Sequence, residues 1–174
     1  MSVCFVLMLR GLDAQGSDED PIVVKVADRP TLEGTTTVYL RTGVSSVVRD
    51  RQARVRETFD QLRNAGVLKD IDVVEWPERA RTPADTDVEA EAVARYDEFV
   101  DAVGAGALEP FFEERPATGT DDRVVDLPAI CIVHRDDGTP SALYPHWSDG
   151  THHSIEDCTR ALCAGDDIRN LRPS

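Results

Sequence analysis

Lysine is almost missing from this chain of 174 residues. Only 2 of its 19 basic residues are Lys, and its 33 acidic residues, 21 of them Asp, set the formal net charge at −14. Lys carries a long aliphatic stem, whereas Asp binds water and cations with little apolar surface exposed. The composition therefore predicts a halophilic protein whose self-repulsion is screened by concentrated salt. The alternative is an ordinary acidic protein from a GC-rich genome, because GC bias also favours Arg over Lys.

Long hydrophobic runs are missing as well. The apolar start "SVCFVLML" is about eight residues long, far short of the ~20 residues that span a bilayer. It also lacks the basic segment and the cleavage site of a secretory signal. We therefore expect a cytoplasmic protein that makes no membrane contact. The acidic surface disfavours wide contact with nucleic acid by charge alone.

Cysteine never occurs as CxxC or with the spacing of a zinc finger. The simplest interpretation of the four cysteines is a set of reduced structural thiols, and no cofactor is predicted. They stand at Cys4, Cys131, Cys158 and Cys163.

Alternating and helical hydrophobic patterns predict one α/β domain over residues 35–165. Residues 1–34 are predicted to be an N-terminal extension, partly disordered or the product of a start codon placed too far upstream, and residues 166–174 a polar tail. The predicted order is strand 35–42, helix 47–65, strand 70–76, loop 77–85, helix from the Thr86–Glu89 capping box to Gly104, edge strand 108–116, strands 127–134 and 141–147, and helix 155–164, capped by Ser154 with Asp157. The first helix has Ser45 or Ser46 as its cap and a stripe of Val48, Val55, Phe59 and Leu62 on one face.

This order is typical of a thioredoxin-like layout, βαβ-α-ββα, with a four-stranded mixed sheet flanked by helices. Such folds place a cis-proline just before the first hairpin strand, which makes Pro128 of "DLPA" the candidate. Thioredoxins carry CxxC where their first helix begins, but this chain has "TGVSSV" at residues 42–47. Thiol–disulfide exchange needs a thiolate there, so redox activity is predicted to be absent.

Three of the four histidines lie in "PHWSDGTHHSIEDC", residues 145–158. A zinc site needs three or four converging ligands, and the weak candidates are His146, His152, His153 and Cys158. The alternative is that the cysteine is structural and the histidines are solvated around a tight "SDG" turn. A metal-dependent enzyme is therefore the third hypothesis for function, and no catalytic residue is assigned.

The first predicted helix carries the one basic patch of the chain. Arg49, Arg56 and Arg63 recur every seven residues and share a face, which suits contact with phosphate or an acidic partner. The alternative is local pairing at i,i+4 spacing, Asp50 with Arg54 and Arg56 with Asp60.

Residues 35 to about 164 resemble a family of small acidic haloarchaeal proteins. The resemblance rests on "TTTVYLRT", "RQARVRETFDQLRNAGVLKDIDV", "LEPFFEER", "LPAICIV" and "SDGTHHSIEDCTRAL". Some members of that family carry a helix-turn-helix label. The resemblance implies a halophilic, cytoplasmic setting, adds weight to a regulatory function and supplies no catalytic residue.

Two hypotheses for function remain ahead of the enzyme. The first is a non-enzymatic, thioredoxin-like accessory protein that binds a protein partner whose identity is unknown. The second is a helix-turn-helix transcriptional regulator that binds DNA through the 47–65 helix, which is possible but not favoured. The two hypotheses require different topologies, because a regulator needs two helices packed around a short turn with the second one exposed.

The net charge of −14 predicts that the fold depends on salt. We expect circular dichroism to show partial unfolding below about 0.5 M KCl, because charge repulsion reaches further as the salt is withdrawn. A melting temperature that stays constant from about 0.1 to about 3 M KCl would contradict the halophilic interpretation.

Overall fold

The structure is a computed structural model that describes residues 6–8, 23–25, 31–116 and 122–171. Most of the predicted N-terminal extension therefore lies outside the described residues. The elements in chain order are β1 (Val6–Met8), β2 (Val23–Lys25), β3 (Leu32–Arg41), α1 (Ser46–Asn64), β4 (Leu68–Trp76), β5 (Arg79–Thr82), α2 (Asp87–Val103), α3 (Ala105–Leu108), β6 (Glu113–Pro116), β7 (Arg123–Asp126), β8 (Ile130–Asp136), β9 (Thr139–Tyr144), β10 (His146–Ser148), β11 (Thr151–His153) and α4 (Ile155–Ala164).

A four-stranded mixed sheet in the order β4-β3-β8-β9 forms the centre of the fold. β3 and β4 are parallel, with Val38 opposite Val73, as the helical crossover between them requires. β8 is antiparallel to both β3 and β9. The predicted α/β class, a mixed sheet with helices on its faces, is confirmed.

Each face of the sheet has its own hydrophobic core, because side chains alternate along the strands. On one face, β3 and β8 pack against α1 and α4 through Val38, Leu40, Ile130, Ile132, Val55, Phe59, Leu62, Ile155, Cys158 and Leu162. On the other, they pack against α2 and the segment after it through Tyr39, Cys131, Val133, Trp76, Ala92, Tyr96, Phe99 and Phe112.

A second, three-stranded sheet in the order β5-β7-β6 was not predicted from the sequence. Residues 77–85 were expected to be loop, and of the expected strand 108–116 only residues 113–116 form a strand, β6, while Leu108 ends α3. The strands of this sheet have four residues each and are rich in charge. Ion pairs join them: the Asp126 carboxylate accepts hydrogen bonds from Arg79 and Arg115. Hydrophobic periodicity carries no signal for strands of this kind.

The predicted strand 141–147 is interrupted at Pro145, where β9 ends and β10 begins. β10 and β11 form a hairpin of their own, with His146 opposite His153 and Trp147 opposite His152. Asp149 and Gly150 both have positive φ, 49° and 80°, so the tight reversal expected at "SDG" is confirmed.

Part of the predicted polar tail belongs to the folded domain. Ile168 is fully buried, and the Tyr144 hydroxyl donates a hydrogen bond of 2.6 Å to its carbonyl oxygen. Beyond it, the backbone amides of Asn170 and Leu171 donate to the Ser141 carbonyl. Residues 166–171 therefore lie along the outer edge of β9.

Side chains cap the starts of both α4 and α2, but only α4 has a complete capping box. Ser154 and Asp157 form the predicted capping box at the start of α4. Thr86 caps α2 by accepting from the Glu89 amide, but the Glu89 carboxylate accepts from the Arg81 amide at 3.1 Å instead of completing the box. The unpredicted β5 brings Arg81 into reach, so only half of this capping box forms.

The prediction of a cis bond before Pro128 is wrong. Among the described residues, cis peptide bonds precede Pro83, Pro110 and Pro145. Most X–Pro bonds are trans, and a Leu-Pro pair ahead of an apolar strand carries no information that overrides this preference.

Gly34 in β3 provides a sharp test of the packing of β3 against β8. Its φ is +94°, and a Cβ at this position would collide with the Arg135 carbonyl and come within 3.0 Å of His134 Nε2. We expect Gly34→Ala to lower the free energy of unfolding by at least about 2 kcal/mol in urea titrations. Gly106→Ala is the matched control, because nothing lies within 4 Å of its Cβ position. Equal stability of the two variants would contradict this packing.

Candidate polypeptide-binding groove

A groove of about 360 Å³ lies at the end of the central sheet where β3 and β9 end and β8 begins. These three ends meet because β8 runs antiparallel to its two neighbours. The groove is lined by Arg41 and Arg51, by Pro110 and Phe111, by residues 126–130 from the end of β7 to the start of β8, and by Pro145, His152, Ser154, Ile155 and Glu156.

Gln52 on α1 holds the two backbone walls of the groove together. Its buried side-chain amide donates to the Arg41 carbonyl at 3.0 Å and to the Ala129 carbonyl at 2.9 Å. Arg41 in turn donates to the Leu127 carbonyl at 3.0 Å, and the Trp76 indole donates to the Pro128 carbonyl at 3.2 Å. Side chains from three elements therefore satisfy the carbonyl groups of the loop before β8 and set its position.

An ion pair between α1 and α4 forms part of the wall. Arg51 holds the Glu156 carboxylate through Nε at 3.0 Å and Nη2 at 2.9 Å. Both side chains are about half exposed, 44% and 52%, so the pair adds little stability. The bidentate geometry of the pair nevertheless fixes the positions of both charges beside the groove.

Aromatic rings form an exposed stack on the β10–β11 side of the groove. The rings of Phe111 and His152 lie 4.8 Å apart and nearly parallel, and Trp147 stacks on His152 at 5.1 Å. Trp147 is 39% exposed. Phe111 was not singled out from the sequence, because its role depends on a contact with a hairpin about forty residues further along the chain.

The four candidate metal ligands do not converge. The rings of His146 and His153 stack at 4.9 Å, whereas His152 lies on the opposite face of the hairpin beside Trp147. Cys158 is buried in the core under α4, where burial raises the pKa of its thiol. In the described part of the chain, no three His, Cys, Asp or Glu side chains are placed to hold a metal ion.

His146 has a structural role at the junction of β9 and β10. It is almost fully buried, and its Nδ1 donates to the Leu143 carbonyl at 2.7 Å. Burial lowers the pKa of the imidazole, so the ring is neutral near pH 7. The hydrogen bond joins the start of β10 to the end of β9 and fixes the orientation of the hairpin that carries the aromatic stack.

The basic face of α1 is exposed. Arg49, Arg56 and Arg63 all face solvent, beside the stripe of side chains that α1 buries. Asp60 lies 3.8 Å from Arg63, and among the described residues it forms no ion pair with Arg56, so this pair of the local-pairing alternative does not form. Arg49 reaches the Val44 carbonyl at 3.4 Å.

The described helices do not form the pair that a helix-turn-helix reader of DNA uses. α1 leads directly into β4, and its buried residues lie flat on the sheet. α2 connects to α3 through Gly104, but α3 has four residues and its Leu108 is buried. In the described ranges, no helix of α1–α4 is long and apolar enough to cross a membrane.

The fold and its groove define an α/β protein with a polar, cysteine-free start to its first helix. Residues 29–167 match the family described as "Helix-turn-helix domain", and the chain belongs to that family. No curated protein and no solved structure matches the sequence.

Gln52→Glu tests whether the amide bridge forms the groove. The substitution removes the donor and places a carboxylate against two carbonyl oxygens, so we expect a loss of about 2 kcal/mol in the free energy of unfolding. Urea unfolding measures it. Gln61→Glu on the same helix is the matched control and should cost much less, because Gln61 is only half buried. If Gln52→Glu left the free energy of unfolding unchanged, the result would contradict the amide bridge.

Proposed function

We propose that the chain is a non-enzymatic interaction protein with a thioredoxin-like layout, which binds an extended polypeptide segment in the groove. The strand order supports the layout. Counted from β3, the four strands lie in the order second, first, third, fourth, and the third is antiparallel to its neighbours. α1 and α4 cover one face and α2 the other, which is the arrangement that a βαβ-α-ββα chain favours.

The groove is the observation that carries the proposal. Prolines 110, 128 and 145 and the rings of Phe111 and His152 give it apolar walls, and the exposed Trp147 extends them. Aromatic-lined grooves bind extended, proline-containing segments, because such segments lose little conformational entropy on binding. Arg41 and Glu156 supply polar groups at the margins for the peptide backbone.

Two of the three thiols in the described part of the chain, those of Cys131 and Cys158, support a function without redox chemistry, while Cys163 is half-buried. Exchange needs an accessible thiol of low pKa, whereas Cys131 and Cys158 are fully buried and burial raises the pKa of both. In a thioredoxin-like layout the dithiol lies at the start of α1, where this chain has Gly43 to Ser46, and Arg41 and Arg51 on either side of that segment line the groove.

DNA binding is the second candidate, in the role of a transcriptional regulator. The family description favours it, and Arg49, Arg56 and Arg63 offer an exposed basic face. The net charge of −14 and the absence, within the described ranges, of a second helix joined to α1 by a short turn favour the interaction protein instead. A halophilic cytoplasm is the setting proposed for either role.

A labelled proline-rich decapeptide and a glycine-substituted version of it test the groove by fluorescence anisotropy in about 2 M KCl, where charge is screened. We expect the proline-rich peptide to bind, and Phe111→Ala or Trp147→Ala to weaken it about tenfold or more, because each removes a stacked ring. Val88→Ala is the matched control, an exposed apolar residue away from the groove.

Equal binding of both peptides, or no effect of either aromatic variant, would contradict the groove. The second candidate, DNA binding, is tested by gel retardation of promoter DNA. The wild-type protein is compared with a variant in which Arg49, Arg56 and Arg63 are all replaced by Ala. Specific retardation that only the wild type produces would replace the interaction protein with the regulator.

A further inference from the structure

The two edges of the central sheet differ in whether their outward-facing backbone groups find hydrogen-bond partners. At the β9 edge, the side-chain amide of Asn170 accepts from the Leu143 amide at 3.0 Å and donates to the Leu143 carbonyl at 3.1 Å, as a neighbouring strand would. β4 lies at the other edge and pairs with β3 alone among the described strands. Alternate backbone groups of its nine residues therefore face outward.

Apolar surface flanks the β4 edge on both faces of the sheet. On the α2 face, a hollow of about 310 Å³ is lined by Tyr39, Val74, Trp76, Val88 and Ala92. Val88 at its mouth is 52% exposed, and on the α1 face Val73 of β4 is 42% exposed. An added strand would place alternate side chains over these two faces.

The charge at this edge is acidic. Asp70, Asp72 and Glu75 on β4 are exposed, and Asp87 and Glu91 stand at the rim of the hollow. The three β4 carboxylates form no ion pair with another described residue, while the nearby Lys69 is held by Glu33 at 3.3 Å. A second copy of this chain would set carboxylates against carboxylates, which destabilises a strand pair.

We propose that the β4 edge takes up a strand from a basic partner protein. The partner segment is extended, places β-branched apolar side chains against the hollow and Val73, and directs Arg or Lys to Asp70, Asp72 and Glu75. Its backbone pairs with the outward-facing amide and carbonyl groups of β4. This site goes beyond the proposed groove, which lies at the end of the sheet and not along its edge.

The probe is a peptide that repeats Arg-Arg-Val-Val, so that both residue types fall on each face of the added strand, and it is matched in length to the nine residues of β4. Amide chemical shifts and hydrogen exchange of the full chain are followed by NMR in concentrated salt. We expect the β4 amides to shift and to exchange more slowly on binding. The same peptide with every second amide N-methylated should fail to protect them, because it cannot form the ladder.

Charge is tested at the lowest salt in which the fold persists, because screening hides it elsewhere. Asp70→Asn, Asp72→Asn and Glu75→Gln together should weaken binding about tenfold. The matched control removes three exposed carboxylates elsewhere, with Glu109→Gln, Asp137→Asn and Asp166→Asn, and should leave the affinity unchanged.

Equal binding of the N-methylated peptide, or equal losses in both triple variants, would overturn the proposal in favour of non-specific attraction. Protection of β4 in the absence of peptide, together with a doubled mass, would overturn it in favour of self-pairing. Phe111→Ala separates this site from the groove, because it should leave peptide binding at β4 intact. The β4 site and the groove can therefore each be contradicted without affecting the other.

Discussion

β3 is the strand on which both cores depend. It lies between β4 and β8, and its side chains alternate, so that Val38 and Leu40 face α1 and α4 while Tyr39 faces α2. Because it is covered on both faces and paired on both edges, a shift of one residue in its register would expose one core and bury polar groups in the other. Its parallel pairing with β4 obliges α1 to cross one face of the sheet, and its antiparallel pairing with β8 brings three strand ends together.

The groove is a consequence of that arrangement. The end of β3, the start of β8 and the end of β9 meet at one rim, and Gln52 joins two of these segments through their carbonyl groups. The orientation of the β10–β11 hairpin at this rim follows from the buried hydrogen bond of His146 to Leu143. Rigid backbone below and exposed rings above are what a binding site for an extended chain requires.

Four large apolar side chains of the described residues are exposed. Trp147 on β10 stacks on His152 beside the groove, Val47 lies in the first turn of α1, and Val73 and Val88 flank the β4 edge. In concentrated salt long-range charge attraction is weak, so recognition depends on apolar contact and backbone hydrogen bonds. Both proposed sites offer these.

Local patterns determined much of this protein. The helical stripe Val55, Phe59 and Leu62 was sufficient to predict α1, and the capping box at Ser154 to predict the start of α4, because both rest on neighbours in the chain. A mixed sheet flanked by helices followed from the order of the elements along the chain. Contacts between distant segments were decided only by tertiary structure: the charged ladder of β5-β7-β6, the amide of Asn170 on β9, and the ring of Phe111 on His152. Each needs two segments whose approach is set by the packed sheet, and no local periodicity records that approach.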